Sequence, residues 1–237
     1  MLRLEHLFDR LGQLLERETP LDHHFALATM FEIIEVASRA DLKSDLLKEL
    51  DRHRNQLGSL RGNPQVSQPA LEQAIGRIDA AFDGLNQQSG KAGQSLSGYE
   101  WLNTLRSRIG IPGGTCEFDL PAYFAWQHLP APQRRADLGQ WTATLEPLAL
   151  ALQVLMRLLR DAGTPQMVAM QAGLFQQSLP QGRSYQLLRL RLPDGADWVP
   201  EISGHRLLVS VRMLRADAEG RMRPVQAEAA MELTLCA

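Results

Sequence analysis

The feature that most constrains this chain is a change in hydrophobic period partway along it. Up to about residue 162 apolar residues recur every three or four positions, and beyond it they recur every second one. A period near 3.6 lays side chains along one face of a helix, whereas a period of two lays them on one face of a strand. Leu4, Leu7, Leu11, Leu14 and Leu15 form the first stripe, and Pro20 is expected to close that helix. A second helix is expected after Asp22, with Phe25, Met30, Ile33 and Ile34 among its apolar positions. Leu46, Leu50, His53 and Leu57, then Leu71, Ile75, Ile78 and Phe82, repeat the same rhythm on either side of RGNPQVSQP, which predicts an antiparallel helical hairpin. The Gly- and Ser-rich run 86–98 reads as a loop inside the helical region, because helical spacing resumes at Leu102, Leu105 and Ile109. Pro147 opens a helix apolar on nearly every side, and Gly163 and Pro165 end it.

After that point Leu188, Leu190 and Leu192 alternate with Arg189 and Arg191. Leu207, Val209, Val211 and Met213 alternate with Arg206, Ser210 and Arg212, and Ala227, Ala229, Met231, Leu233 and Leu235 alternate with polar residues. These are half-buried antiparallel strands, with PDGAD and DAEG as turns. Strands following helices as a block give an α+β fold: an α-helical domain over 1–163 followed by a smaller antiparallel β-strand domain over 164–237.

Charge narrows the function classes. The formal net charge of −2, with no basic run, argues against a nucleic-acid binder. The longest apolar run, Leu148–Met156, is too short to span a bilayer, and the amphipathic start lacks a signal peptide's apolar core. Two cysteines, Cys116 and Cys236, supply no disulfide framework, which suits a reducing cytoplasm. Of 25 basic residues only three, Lys43, Lys48 and Lys91, are lysines, which fits either genome composition or a demand for planar forks that grip carboxylates.

The segment IPGGTCEFDLPAYFAWQHLP (111–130) admits two readings. In one, Cys116 is a nucleophile, His128 its base and Asp119 the orienting group of a cysteine-dependent enzyme or small-ligand binder. In the other, the glycines permit a chain reversal, Asp119 and Pro121 start a helix, and Phe118, Tyr123, Phe124 and Trp126 pack the helical core. Glu117 and Asp119 beside the cysteine disfavour a thiolate. No phosphate loop, HExxH, paired CxxC or dinucleotide fingerprint is present, so no cofactor and no metal are expected.

Four stretches resemble one family in their order along the chain: ASRADLKSDLLKELDR, RSRIGIPGGTCEFDLPAYFAWQHLP, LEPLALALQVLMRLLRDAG and PEISGHRLLVSVRML. They are similar to ZapD, the Z-ring-associated cell-division proteins of proteobacteria, over almost the whole chain. The resemblance implies a cytoplasmic, non-enzymatic homodimer at the midcell division site. Such a protein would bind the C-terminal tail of FtsZ, the tubulin-like division GTPase, through a basic surface and bundle its filaments. On matching positions this surface would include Arg3, Arg39, Lys43 and Arg212, with Arg106, Arg108, His205 and Arg206 as further members. Family members usually carry a further short segment ahead of the first helix, and some basic positions of their surface hold Glu100 and Phe124 here.

Overall fold

A computed structural model describes residues 1–38, 41–90, 92–182, 184–226 and 228–237. Among these, eight α-helices precede seven strands, so the fold is α+β. The chain divides into two compact units, Met1–Leu155 and Met156–Ala237.

In the helical unit, α1 (Leu2–Leu15) buries Leu4, Leu7 and Leu11 and packs on α2 (Pro20–Ala37). Pro20 opens α2 rather than closing α1. Thr19 caps that helix, its Oγ1 accepting from the Asp22 amide at 3.1 Å, and proline fits the first turn because no intrahelical N–H is needed there. Ala26, Leu27, Met30, Phe31, Ile33 and Ile34 are all buried, so α2 is covered on most of its circumference. Each such aliphatic or aromatic side chain contributes roughly 1.5–3 kcal/mol when fully removed from water. Phe25, in contrast, stands exposed on the remaining face.

The expected hairpin is present as α3 (Leu42–Gly58) against α4 (Gln68–Gln87). Leu46 and Leu50 are buried on α3, and Leu71, Ile75, Ile78 and Leu85 on α4. The polar rim fixes its register. Arg61 grips Glu72 with two parallel bonds of 2.8 and 2.9 Å, and the Arg54 guanidinium lies 5.1 Å from the centre of the Phe82 ring. Part of the run expected to be a loop is instead a 3₁₀ turn, Gln94–Gly98, anchored by buried Leu96.

Three further helices follow: α5 (Glu100–Arg108), α6 (Pro121–Gln127) and α7 (Ala131–Ala143), the last packed on α2. The division between the units falls within α8 (Glu146–Asp161), where Leu148, Leu152, Leu155 and Leu159 are buried.

The second unit is built of two antiparallel sheets. One has the order β1 (Thr164–Met170), β7 (Ala229–Cys236), β3 (Leu187–Arg191). The other has the order β2 (Leu174–Ser178), β5 (Leu208–Ala216), β4 (Val199–His205), with β6 (Met222–Pro224) paired to the end of β5. Val209, Val211 and Met213 of β5 and Met231 of β7 enter one core, joined by Leu188 and Leu190 of β3. The alternation expected for β3 and β5 holds except at Leu207; on β7 Met231 and Leu233 follow it, but Thr234 and Cys236 are buried as well while Leu235 is only partly covered, and Ala227 lies outside the described residues. Leu207 is exposed, because β5 begins one residue later and Leu207 belongs to the turn.

Candidate functional site

The Pro-Gly-Gly segment is wound as successive tight turns. Amides of Ile111, Gly114 and Cys116 donate to the carbonyls of Arg108, Ile111 and Gly113 at 2.8, 2.9 and 3.3 Å. The two glycines are required for different reasons. Gly113 takes the left-handed conformation, with φ of 68°, while a Cβ on Gly114 would lie 2.8 Å from the Arg108 carbonyl oxygen. Asp119 does not cap α6. Leu120 occupies that position, and Asp119 is drawn 3.3 Å from Arg108 instead. His128 Nδ1 donates to the Phe124 carbonyl at 2.9 Å. The one bond among Cys116, His128 and Asp119 is between backbones, the Asp119 amide donating to the Cys116 carbonyl at 3.0 Å; their side chains make none with one another among the described residues, and no nucleophile–base pair is assembled. Of the aromatics, Tyr123 and Trp126 are buried, but Phe118 is 81% exposed and Phe124 is also exposed.

Behind this segment lies a buried polar centre that the sequence reading did not identify. Arg134 of α7 is only 4% exposed, and His23 of α2 is fully enclosed. Arg134 Nε donates to His23 Nδ1 at 2.9 Å, and His23 Nε2 donates to the Arg17 carbonyl at 2.9 Å. The remaining Arg134 donors reach the carbonyls of Gln127 (3.1 Å), Leu129 and Glu18 (2.5 Å). Burial, reinforced by the Arg134 charge, pushes the His23 pKa down, consistent with the neutral tautomer that accepts at Nδ1. His24 is likewise lowered by burial. Gln127 Nε2 donates to the Tyr123 hydroxyl at 3.0 Å, which leaves that hydroxyl's own proton for His24 Nδ1 at 2.6 Å. Trp101, Tyr123, Trp126 and Trp141 close over this centre with ring centroids 5.4–6.1 Å apart. Such a network positions helices and offers no open substrate site. Among the described residues no group of three His, Cys, Asp or Glu is placed to hold a metal.

The basic residues expected to bind a partner fall into three situations. Lys43 is occupied by the end of α4, its Nζ donating to the Gln88 and Asn86 carbonyls at 2.6 and 3.4 Å. Arg108 pairs with Asp119, and Arg212 of β5 stands across from Glu201 of β4, 3.7 Å apart. Arg3, Arg106, His205 and Arg206 are exposed, and among the described residues none of the three arginine side chains carries a hydrogen bond or ion pair. Arg39 lies outside the described residues. Arg3 borders a hollow of about 570 Å³ between α1 and α2, shared with His6, Arg10, Glu32 and Glu35. Arg106 borders another, of about 420 Å³, with Phe31, Ile34 and Asn103.

His205 and Arg206 are brought together at a cleft of about 880 Å³ in the β unit. Its walls include Leu179, Tyr185, Leu188, Leu207, Val209 and Leu235. On β3, one of the strands bordering it, Arg189 and Arg191 are exposed and without ion pairs. The sequence reading placed these two on a solvent face without counting them as site residues. Their alternation with Leu188, Leu190 and Leu192 was the available signal.

Comparison with known proteins gives a family match described as ZapD, cell division protein, over residues 2–212. Proteins named "Cell division protein ZapD" from Ralstonia pickettii (strain 12J) and Ralstonia nicotianae (strain ATCC BAA-1114 / GMI1000) are 51% and 52% identical over 237 residues, covering 100% of this chain and 94% of each relative. One from Cupriavidus pinatubonensis (strain JMP 134 / LMG 1197) is 51% identical with the same coverage.

Proposed function

Because the chain belongs to the ZapD family of cell division proteins, we propose that it binds the C-terminal tail of FtsZ and cross-links FtsZ filaments at the midcell ring. It does so from the cytoplasm, as a homodimer and without catalysis. The observation that carries this reading is the apolar cleft of the β unit, rimmed by His205 and Arg206 and lined by the first residues of β3, the strand that further along carries exposed Arg189 and Arg191. Guanidinium groups that make no ion pair among the described residues, although Arg191 stands across from Glu232 in the β3–β7 register, suit a tail bearing carboxylates. Each charge-assisted bond so formed is worth about 1.5–3 kcal/mol. The contact sites therefore narrow to Arg206, His205, Arg189 and Arg191, with Arg3 and Arg106 as separate cations on the helical unit. Lys43, Arg108 and Arg212 serve their own chain first.

Bundling follows from bivalency. A filament presents many tails, so once one site of a dimer is filled, the second capture proceeds at high effective concentration. Weak single sites then suffice, which suits a disordered tail that loses conformational entropy on ordering.

Co-sedimentation with polymerised FtsZ tests the proposal. Full-length filaments should carry this protein into the pellet and thicken into bundles, and raising the salt should weaken both effects. Filaments lacking the tail should leave it in the supernatant. Equal pelleting with both forms would overturn tail recognition.

A further inference from the structure

The cleft of the β unit lies where two sheet edges open onto one space. Among the described residues β3 pairs only with β7, and β4 only with β5, so the outer side of each strand has no neighbour. The hairpin between β1 and β2 joins the two sheets along their other margin. Tyr185–Leu188, at the start of β3, and Gly204–Leu207, at the end of β4, line the same cleft, with Val209 and Leu235 also in its wall. An uncovered edge presents a row of backbone donors and acceptors, and natural proteins usually blunt such rows with lysine, proline or a bulge. β4 has Pro200 near its start; β3, LLRLR, has no proline, and its only charges, Arg189 and Arg191, share one face of the strand and leave the other apolar. Its two faces differ sharply: Leu188 and Leu190 pack toward the core, while Arg189 and Arg191 stand on the solvent side without ion pairs.

Resting on the reading that the partner is the FtsZ tail, we propose that the tail binds by strand addition to the free edge of β3. Its backbone would extend the sheet order to β1-β7-β3-tail. Alternate tail side chains would turn inward onto the apolar walls, and the intervening ones, carrying carboxylates, would lie beside Arg189 and Arg191. His205 and Arg206 close the far side of the cleft, where they meet a further carboxylate. A guest of about five residues spans roughly 17 Å, the length of β3 itself. Strand addition accounts for both halves of the recognition. Main-chain bonds supply affinity that does not depend on sequence, and the alternating faces supply selectivity.

The test is a series of synthetic FtsZ tail peptides, each methylated at one backbone nitrogen, titrated against the full chain by fluorescence anisotropy. Methylation removes one donor and leaves every side chain in place. A strand paired along one edge should lose about tenfold in affinity at every second position and almost nothing between. Arg189→Ala with Arg191→Ala, both exposed, should weaken the unmodified peptide about tenfold, and β3 amides should become protected from hydrogen exchange when it binds. A tail that binds tightly but shows no alternation, or leaves β3 amides unprotected, overturns strand addition while leaving tail recognition standing. A tail that does not bind at all overturns both.

Discussion

Arg134 is a buried cation with no carboxylate partner among the described residues, and its stability rests on geometry alone. Three carbonyls and the neutral His23 ring surround it, and all of these acceptors lie where a planar, forked donor can reach them at once. Removing the guanidinium would leave buried acceptors without donors, a defect that costs about 1–3 kcal/mol for each group left unsatisfied. We expect Arg134→Met to lower the urea midpoint accordingly, and Arg134→Lys to recover little, because one ammonium cannot serve four acceptors spread across a plane. Recovery of most of the stability by lysine would show that charge, and not the fork, holds the site. This residue was hidden in the sequence for a specific reason. Arg134, Leu138 and Trp141 are buried at spacings of four and three, so α7 has a helical stripe, but its first position is an arginine where an apolar residue would have declared it. The partner-binding residues were only partly legible. Charge can be read from sequence, but whether a charge is already spent, as for Lys43 on the end of α4, depends on contacts between residues far apart in the chain.

At the scale of elements, α2 combines the most enclosed helix surface with a conspicuous exception. Leu21 and Phe25, one turn apart, are 64% and 52% exposed. α8, apolar on nearly every side in sequence, is the first place to look for the surplus apolar surface that the proposed dimer needs. Its main stripe is buried within the chain, leaving Leu150 exposed with Val154 and Leu158 partly covered. The exposed pair on α2 is thus the better candidate face for a second copy. Leu21→Glu combined with Phe25→Glu should convert a dimer into a monomer by light scattering, with the far-ultraviolet circular dichroism unchanged. A variant that remains dimeric would place the interface elsewhere. The strands divide in a similar way. β3, β5 and β7 were readable because burial on one face imposes alternation. β1 and β4 are edge strands, exposed along most of their length, and β4 also contains Pro200 and Gly204, so neither burial nor propensity marks them.

For the molecule as a whole, His23, His24 and His53 all have pKa values lowered chiefly by burial. Each therefore binds its proton more readily in the unfolded chain. Stability contributed by keeping these rings neutral is complete above the unfolded value, roughly pH 6.5, and is lost as the pH falls below it. Urea midpoints should be flat from pH 7 to 8 and decline from about pH 6.5 downward, a decline that His53→Gln should lessen. A midpoint independent of pH down to 5 would contradict the assignment. The overall class was legible because a period of 3.6 gives way to a period of two at a single point in the chain. How the strands are shared between two sheets was not, since pairings such as Thr164 with Leu235 join residues far apart in sequence. That last pairing bears on biosynthesis. β7 is the middle strand of its sheet and the last of the seven described strands in chain order, so the strand on which the others depend emerges after them. Domains generally fold as they emerge, N-terminal first, and the helical unit can follow that course. The β unit has to wait for β7. A chain without β7 would carry a finished helical unit joined to strands that have lost their centre, so the state of the β unit reports whether that one strand is in place.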